Sequence, residues 1–301
     1  MSHTADLVAR IGRMNPTQDS FFREALVDLG SAERDDLEAY VAFCLQDGLS
    51  LDDLARSYLL IVNDTLKEQV YFRRHHRYRY SSFAEVAEAV YFNDDYMKQY
   101  MVGLALTTFF WANHRGLHRF FLESLPTRPR GRYLEVGPGH GFFFMSAMRT
   151  GRFEEYLGVD ISDTSVGLTR SILRSRLFGD FKNYEIRQGD FLSLNLERST
   201  RFDFLVMSEV LEHLEQPERF LAKLREYAAP QAHIFITTCI NAPAVDHIYL
   251  YTSQDHVRGQ VRDVGLSIER ELWLPYVGLS LDESLDRKLP VNLAMVLSCP
   301  S

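Results

Sequence analysis

The sequence contains little cysteine: three of its 301 residues, at positions 44, 239 and 299. The number is odd, the positions are far apart, and none has the Cys-x-x-Cys spacing of zinc and redox motifs. These features exclude a disulfide framework and a cysteine-based zinc site.

Long apolar runs are also missing. The longest uncharged apolar stretch, residues 100–113, is shorter than the roughly 20 residues that cross a bilayer, and we predict a buried helix there. The N-terminal segment MSHTADLVARIGRMN lacks the apolar core of a signal peptide. The sequence therefore predicts a cytoplasmic protein with no membrane partner.

Basic residues are fewer than acidic ones: the chain has 33 Lys and Arg against 41 Asp and Glu, which gives a net charge of −8. Proteins that wrap nucleic acid usually carry a basic excess that replaces phosphate counterions, so we predict a small or neutral partner and no nucleic acid. One basic run, residues 73–79, departs from this balance. It is open to three interpretations: a solvated helix end, a site for an anionic substrate group, or an RNA contact.

The spacing of apolar residues divides the chain near residue 126. Before it the spacing is helical, which predicts an all-helical N-terminal domain over residues 1–126, with helices in 32–46, 51–61, 83–91 and 95–122. Ser50 and either Asn93 or Asp94 are the expected helix caps. The prolines of segment 126–129 end the helical run, and most aromatic residues before it are expected in the core, with a few along a pocket wall.

The second part, residues 127–301, has short β-rich runs that alternate with helical ones, which predicts an α/β domain with a mostly parallel sheet. The last two runs, separated by residues 273–291 without a clear helical face, suggest an antiparallel finish. The seven predicted strands cover residues 133–136, 156–159, 184–187, 202–207, 233–238, 267–272 and 292–298.

The most informative segment is YLEVGPGHG at residues 133–141, where a predicted strand runs into three alternate glycines. Glycine lets a ligand approach the backbone, and the next helix adds free N–H groups. A dinucleotide loop, G-x-G-x-x-G, would need its third glycine where Phe142 stands. A P-loop is excluded because no Gly-Lys-Ser/Thr follows.

The spacing E-x-G-x-G-x-G instead resembles motif I of class I S-adenosylmethionine (SAM) methyltransferases. Three further motifs support the resemblance: GVDIS, which ends at residue 162, Gly189-Asp190-Phe191, and FDFLVMSEVLEHL from residue 202. The resemblance covers residues 128–301. It implies a seven-stranded, mostly parallel, doubly wound sheet whose last strand is inserted antiparallel.

The resemblance also implies SAM as cofactor and S-adenosylhomocysteine as product. Asp160 would hold the ribose hydroxyls, Asp190 would meet the adenine amino group, and Glu135 would orient the glycine loop near the methionine end. The other cofactor residues that it implies are Gly137, Pro138, Gly139, Gly141, Ile161, Phe191, Ser208 and Glu209.

The substrate is expected beyond the carboxyl ends of the strands, where the loop after the fifth strand carries Asn241, Asp246, His247 and Tyr251. Methyl transfer to a hydroxyl or an amine requires removal of a proton, and a histidine can accept it near neutral pH. We predict His247 as the base and Asp246 as the residue that orients it, with Asn241 and Tyr251 on the substrate. The alternative is a loop histidine that satisfies backbone groups.

His114 and His118 stand one helical turn apart next to Trp111. Such a pair can bind a metal, but no HExxH pattern and no third ligand accompany it, so we predict no metal. We predict His114 as a second catalytic residue, and Trp111 and His118 as substrate contacts. Glu212 is expected on a solvated helix.

These observations together predict SAM-dependent methyl transfer to a small molecule, in natural-product biosynthesis. The helical domain would cover the site and form a homodimer. Two alternatives stay open: an RNA or protein methyltransferase that binds through residues 73–79, and a SAM-binding protein without catalysis. The acceptor atom is not encoded in any motif that we recognise.

Overall fold

The computed structural model describes residues 2–128, 131–197 and 199–300; Pro129, part of the predicted proline break, lies outside them. Helices are the only regular secondary structure in the described residues before residue 128. They are α1 (His3–Met14), α2 (Gln18–Val27), α3 (Ser31–Gln46), α4 (Leu51–His75), α5 (Phe83–Val86) with a π-helical turn (Ala87–Tyr91), α6 (Asp94–Phe110) and α7 (Ala112–Ser124).

The predicted caps are confirmed. The Ser50 hydroxyl accepts the N–H of Asp53 at the start of α4, and Asn93 accepts the N–H of Tyr96 at the start of α6. These side chains satisfy N–H groups that have no partner within the helix.

The single helix predicted over residues 95–122 is wrong, because the chain is extended at Trp111 and α7 begins anew. The cause is Arg115, whose Nη1 donates to the carbonyls of Phe109 (2.6 Å) and Phe110 (3.1 Å). These are the carbonyls that the next helical turn would otherwise use. The buried guanidinium thus ends α6 and turns the chain.

The rest of the chain forms one seven-stranded sheet, as predicted. Its order is β3-β2-β1-β4-β5-β7-β6, and β7 runs antiparallel to both of its neighbours. The strands are β1 (Arg132–Val136), β2 (Glu155–Asp160), β3 (Tyr184–Gln188), β4 (Phe202–Met207), β5 (Ala228–Ile240), β6 (Ser267–Leu274) and β7 (Val291–Ser298).

Helices cover both faces of the sheet: α8 (Phe142–Arg149), α9 (Asp163–Arg174), α10 (Pro217–Tyr227) and α11 (Gln254–Asp263). A further short helix, α12 (Leu281–Asp286), lies in the segment where the sequence showed no helical face, and the reciprocal bonds between Ser280 and Glu283 cap it. The chain order reverses between β1 and β4, which is where ligands bind in open α/β sheets.

The helical region and the sheet share one hydrophobic core. Phe109 of α6 meets Phe142 of α8 with ring centroids 5.0 Å apart, and Phe121 of α7 meets Phe235 of β5 at 5.3 Å. Helix α7 therefore lies against the sheet, although it precedes the boundary predicted at residue 126. Within the described ranges no helix combines the length and apolar character needed to span a membrane.

The buried Arg115 gives a first prediction. Its Nη2 also donates to Asp28 Oδ2 (2.8 Å), so Arg115→Met leaves two carbonyls without their partner and removes one of the two guanidinium groups beside the Asp28 carboxylate. We expect the free energy of unfolding to fall by about 2–4 kcal/mol, measured by urea denaturation. The control is Arg56→Met, because the Arg56 side chain is 56% exposed and its pair with Asp53 is worth at most about 1 kcal/mol. Equal losses in the two variants would contradict the structural role of Arg115.

Candidate active site

One cavity of about 1270 Å³ lies at the carboxyl ends of β1, β2, β4 and β5, beneath α4, α6 and the π-helical turn. Most predicted site residues line it: Trp111, His114, Glu135, Gly137, Pro138, Gly139, Asp160, Ile161, Asp190, Phe191, Ser208, Glu209, Asp246 and His247. The carboxyl edge of the sheet, where the sequence predicts the site, and the helical region therefore line the same cavity.

The glycine loop has a backbone conformation that favours glycine. Gly137, Gly139 and Gly141 have φ values of +70°, +56° and +81°, a region that other residues adopt at a cost. The Gly139 N–H donates to Asp160 Oδ2 at 3.0 Å, and the Ser162 N–H donates to Asp160 Oδ1 at 2.9 Å. Asp160 therefore ties the loop after β1 to the end of β2.

Acidic side chains of this region are buried without a cationic partner. Burial raises the pKa of Asp160 to about 6, against the opposing effect of the backbone N–H groups. Burial also raises the pKa of Glu135 to about 8, although the Tyr133 hydroxyl donates to this carboxylate. Burial therefore favours the protonated form of Glu135 in the ligand-free protein.

The two other predicted contact points lie after β3 and β4. Asp190 accepts the Leu192 N–H (2.9 Å) and the Ser193 hydroxyl (2.8 Å), so this cavity residue also caps a short turn. The Thr237 hydroxyl donates to Glu209 Oε1 (2.7 Å). Burial and the neighbouring Glu212 raise the pKa of Glu209 to about 8.

Asp246 is the centre of a network that joins the two parts of the chain. It is buried and accepts the hydroxyls of Tyr100 of α6 (3.0 Å) and Tyr91 (3.2 Å). His213 Nδ1 lies 3.4 Å from its carboxylate. Burial lowers the pKa of His213, but the Asp246 and Glu212 carboxylates outweigh it, and the net pKa shift is upward.

His247 is oriented by the backbone, and not by Asp246 as we predicted. Its Nδ1–H donates to the Ala242 carbonyl at 2.6 Å, because the adjacent Asp246 carboxylate is engaged elsewhere. Nε2 is then the unprotonated nitrogen. Burial, together with His213, lowers the pKa of His247, so the neutral ring can accept a proton at neutral pH.

A metal-binding geometry exists, but not at the pair considered from the sequence. Ligand atoms of Glu212, His213 and His247 all lie within 4.8 Å of one another. Glu212 is fully buried, contrary to the solvated position expected; its Oε2 accepts the Thr238 hydroxyl (2.8 Å), and its Oε1 has no hydrogen-bond partner in the described chain. Two imidazoles and a carboxylate suit a divalent transition metal.

The predicted pair His114 and His118 separates. His114 lines the cavity and contacts the Thr107 hydroxyl through Nδ1 (2.8 Å), whereas His118 turns to Ser146 of α8 (2.9 Å) and does not line the cavity. Burial lowers the pKa of each to about 4. Their side chains therefore serve different contacts.

Three more predicted positions lie outside the cavity lining. Gly141 begins α8, and a Cβ there would meet the Thr169 backbone at 3.0 Å. Asn241 is buried, and its N–H donates to the Tyr251 carbonyl (3.1 Å). The Tyr251 hydroxyl donates to Gln260 (2.5 Å). The substrate roles predicted for His118, Asn241 and Tyr251 therefore lack support, because none of the three lines the cavity and the side chains of His118 and Tyr251 bind neighbouring residues.

Sequence reasoning missed His213 and Met101. His213 follows Glu212 in the segment LEHL, whose position after β4 was the available signal. Met101 of α6 covers the glycine loop, since its Sδ lies 3.3 Å from the place of a Cβ on Gly139. No local sequence pattern predicts that contact.

Glu135 gives a second prediction. An acid whose pKa rises on folding from 4.5 to about 8 destabilises the protein increasingly as pH rises between these values. Glu135→Gln removes that cost, so the ligand-free variant should be more stable than the parent by about 1–3 kcal/mol at neutral pH. The gain should vanish towards pH 4.5 in thermal melts recorded as a function of pH. The exposed Glu123→Gln is the control, and a pH-independent difference for Glu135→Gln would contradict the buried-acid interpretation.

Comparison with known proteins agrees with this geometry. A family model described as a methyltransferase domain matches residues 110–273. The ubiquinone biosynthesis O-methyltransferase of Acinetobacter baumannii (strain ACICU) is 24% identical over 163 residues, which are 51% of this chain. The match spans 66% of that relative's length.

Two solved structures share the fold. A chain from the complex of the Haloferax volcanii Trm112 methyltransferase activator has a TM-score of 0.52 at 14% identity, covering 68% of this chain and 96% of its own. The cyclase SpnF has a TM-score of 0.50 at 15% identity, covering 64% and 82%. Because the family model covers more than half of the residues, and the sheet and glycine loop agree with it, the chain belongs to the class I SAM-dependent methyltransferases.

Proposed function

We propose that this protein transfers a methyl group from SAM to a small-molecule acceptor. One observation carries the proposal: a single cavity joins the glycine loop and Asp160 to His213, Asp246 and His247. A cofactor site and a group that can accept a proton therefore face the same space.

The residues present fit SAM. Gly139 lines the cavity at a positive φ and has no Cβ, so a ligand can approach the backbone of the loop there. Glu135, Asp160 and Glu209 offer carboxyl groups to a ligand that carries an ammonium, a sulfonium and hydroxyls. SAM, when bound, supplies an electrophilic methyl group. Asp160 and Asp190 would hold its ribose and adenine, and Glu135 and Glu209 would lie by its methionine part.

The chain's own contribution to the chemistry is position and proton removal. His247 Nε2 is free to accept the proton of an acceptor hydroxyl or amine. Tyr91 and Tyr100 hold Asp246, which in turn lies beside His213. Walls from α4 and α6 exclude water and align the acceptor.

A divalent cation at Glu212, His213 and His247 is the second possibility for the same site, favoured by the unpartnered Glu212 Oε1. A cation there would bind an acceptor oxygen and lower its pKa. The two roles exclude each other, because both use Nε2 of His247.

Small-molecule methylation is favoured over RNA or protein methylation because none of residues 73–80 lines the cavity. Arg79 is engaged with Glu68. A role in natural-product biosynthesis, a cytoplasmic location and a homodimer are also proposals, and sedimentation tests the last. Bound SAM without any turnover would favour the non-catalytic alternative.

Gly139 provides the test of the cofactor site. A Cβ there would lie 3.3 Å from Met101 Sδ and 3.9 Å from the Gly137 carbonyl oxygen, so Gly139→Ala should fold while its Cβ occupies space that SAM needs. We expect SAM affinity to fall at least about tenfold, or 1.4 kcal/mol, in calorimetric titration. Gly151→Ala is a matched control, because φ is +61° and nothing lies within 4 Å of the added Cβ. Equal SAM affinity in both folded variants would contradict the proposed cofactor site.

His247 provides the test of the chemistry. If it is the base, His247→Ala should keep SAM affinity and lose about 10²–10⁴ in turnover. The measurement is S-adenosylhomocysteine formation with an acceptor found in a screen of hydroxylated and aminated aromatic compounds. His114→Ala should cost less, mainly in apparent acceptor affinity, and EDTA should have no effect.

The metal alternative gives the opposite result. EDTA would then stop the reaction, and zinc binding measured by calorimetry would be lost in both His247→Ala and Glu212→Gln. Full turnover in His247→Ala would exclude both roles for that residue.

A further inference from the structure

The cavity contains almost no positive charge. Among the described residues that line it, Arg219 is the single Arg or Lys. It lies at the cofactor end, because the next residue, Phe220, contacts Phe191 with ring centroids 5.9 Å apart. The part that remains for an acceptor, lined by α2, α4, α6, α7 and the loops after β5 and β6, therefore has no guanidinium or ammonium.

The histidines of the cavity do not replace that charge. Burial lowers the pKa of His114 to about 4 and of His140 to about 3, and His247 Nδ1 is bound to the Ala242 carbonyl. His213 is the exception, and it already faces the Asp246 carboxylate. An anionic acceptor would thus find no free cation in the described lining.

Two buried carboxylates add negative charge on this side. Asp246 is bound to Tyr91, Tyr100 and His213 as described above. Asp64 accepts the Tyr96 hydroxyl (2.8 Å) and pairs with Lys67, whose side chain is 69% exposed and so approaches from solvent. These acids repel an anion and tolerate a neutral molecule or an amine.

The walls and the opening are apolar. Tyr58, Val62 and Trp111 form part of the interior. Leu66 of α4 and Val277 of the loop after β6 line the cavity although they are 55% and 71% exposed, which places the opening between these two elements. The volume of about 1270 Å³ exceeds the roughly 300–1,000 Å³ of ordinary ligand pockets, so a bulky acceptor fits beside the cofactor.

We propose that the acceptor is a bulky apolar molecule, aromatic or alicyclic, that carries no carboxylate or phosphate and enters between Leu66 and Val277. Burial of an anion without a partner in this space is costly, whereas the apolar walls bind uncharged surface. The proposal rests on the proposed function for the reaction, but acceptor binding is testable without turnover.

The test compares three probes with one naphthalene skeleton: 2-naphthol, 2-naphthylmethylamine and 2-naphthoic acid. Each is titrated into the full chain saturated with S-adenosylhomocysteine at neutral pH, where the probes are uncharged, cationic and anionic, in that order. EDTA is present, so that no divalent cation occupies the site formed by Glu212, His213 and His247. We expect the first two to bind at least about tenfold more tightly than the naphthoate, given the Coulomb energy of nearby carboxylates.

A pair of variants on α4 tests the location. Leu66→Lys places an ammonium at the opening and should raise naphthoate affinity by about tenfold. Val70→Lys, one turn further along α4 and 50% exposed, does not line the cavity and should leave it unchanged.

Three results would overturn the proposal: naphthoate binding as tightly as naphthol, equal effects of the two lysine variants, or no binding of any probe. Failure of S-adenosylhomocysteine to bind would contradict the proposed function instead. The same three probes, titrated into the ligand-free chain, would then still show whether the cavity binds the anionic probe more weakly than the other two.

Discussion

The rest of the site depends on one constraint: three of its carboxyl groups are buried, and no Lys or Arg of the described residues pairs with them. These groups, of Glu135, Asp160 and Glu209, accept hydroxyl or backbone N–H donors, and burial raises the pKa of each. Such groups destabilise the ligand-free protein when they ionise. A ligand with positive charge and hydroxyl groups would relieve that cost, so on the proposed function the affinity for SAM and the instability of the ligand-free site have the same origin.

The helical region is part of the site and not only a cover. Tyr91 and Tyr100 bind Asp246, and Met101 lies over the glycine loop. The shared aromatic core beneath these contacts, including Phe109 against Phe142, fixes α6 relative to the sheet. A shift of α6 would therefore change the cofactor loop and the acidic network together.

The sequence predicts those parts of the fold that depend on local patterns. Alternation of β-rich and helical runs located all seven strands, and glycine spacing located a loop that requires positive φ. The break at Trp111 was missed because it depends on Arg115, a residue of the next helix, which takes two carbonyls of α6. Helix α12 was missed because six residues show too little periodicity, although Ser280 and Glu283 have the spacing of a capping box.

The same distinction applies to the site: local patterns predict where its residues lie, but not which partners their side chains bind. Motif spacing brought Glu135, Asp160 and Asp190 to one cavity, because each lies at or just after the carboxyl end of a strand, and these ends share one edge of the sheet. It could not assign their partners. Adjacent residues such as Asp246 and His247 invite pairing, yet side chains next to each other in a loop point in different directions.

The partners of Asp246 come from residues far away in the chain, on α6, on the π-helical turn and after β4. His247 is left with a backbone carbonyl at Nδ1, and one of its ring nitrogens lies within 4.8 Å of ligand atoms of Glu212 and His213. One nitrogen cannot bind a cation and accept a proton at the same time. On the proposed function, what occupies the space between Glu212, His213 and His247 would therefore determine whether the site removes a proton with an imidazole or polarises an oxygen with a metal.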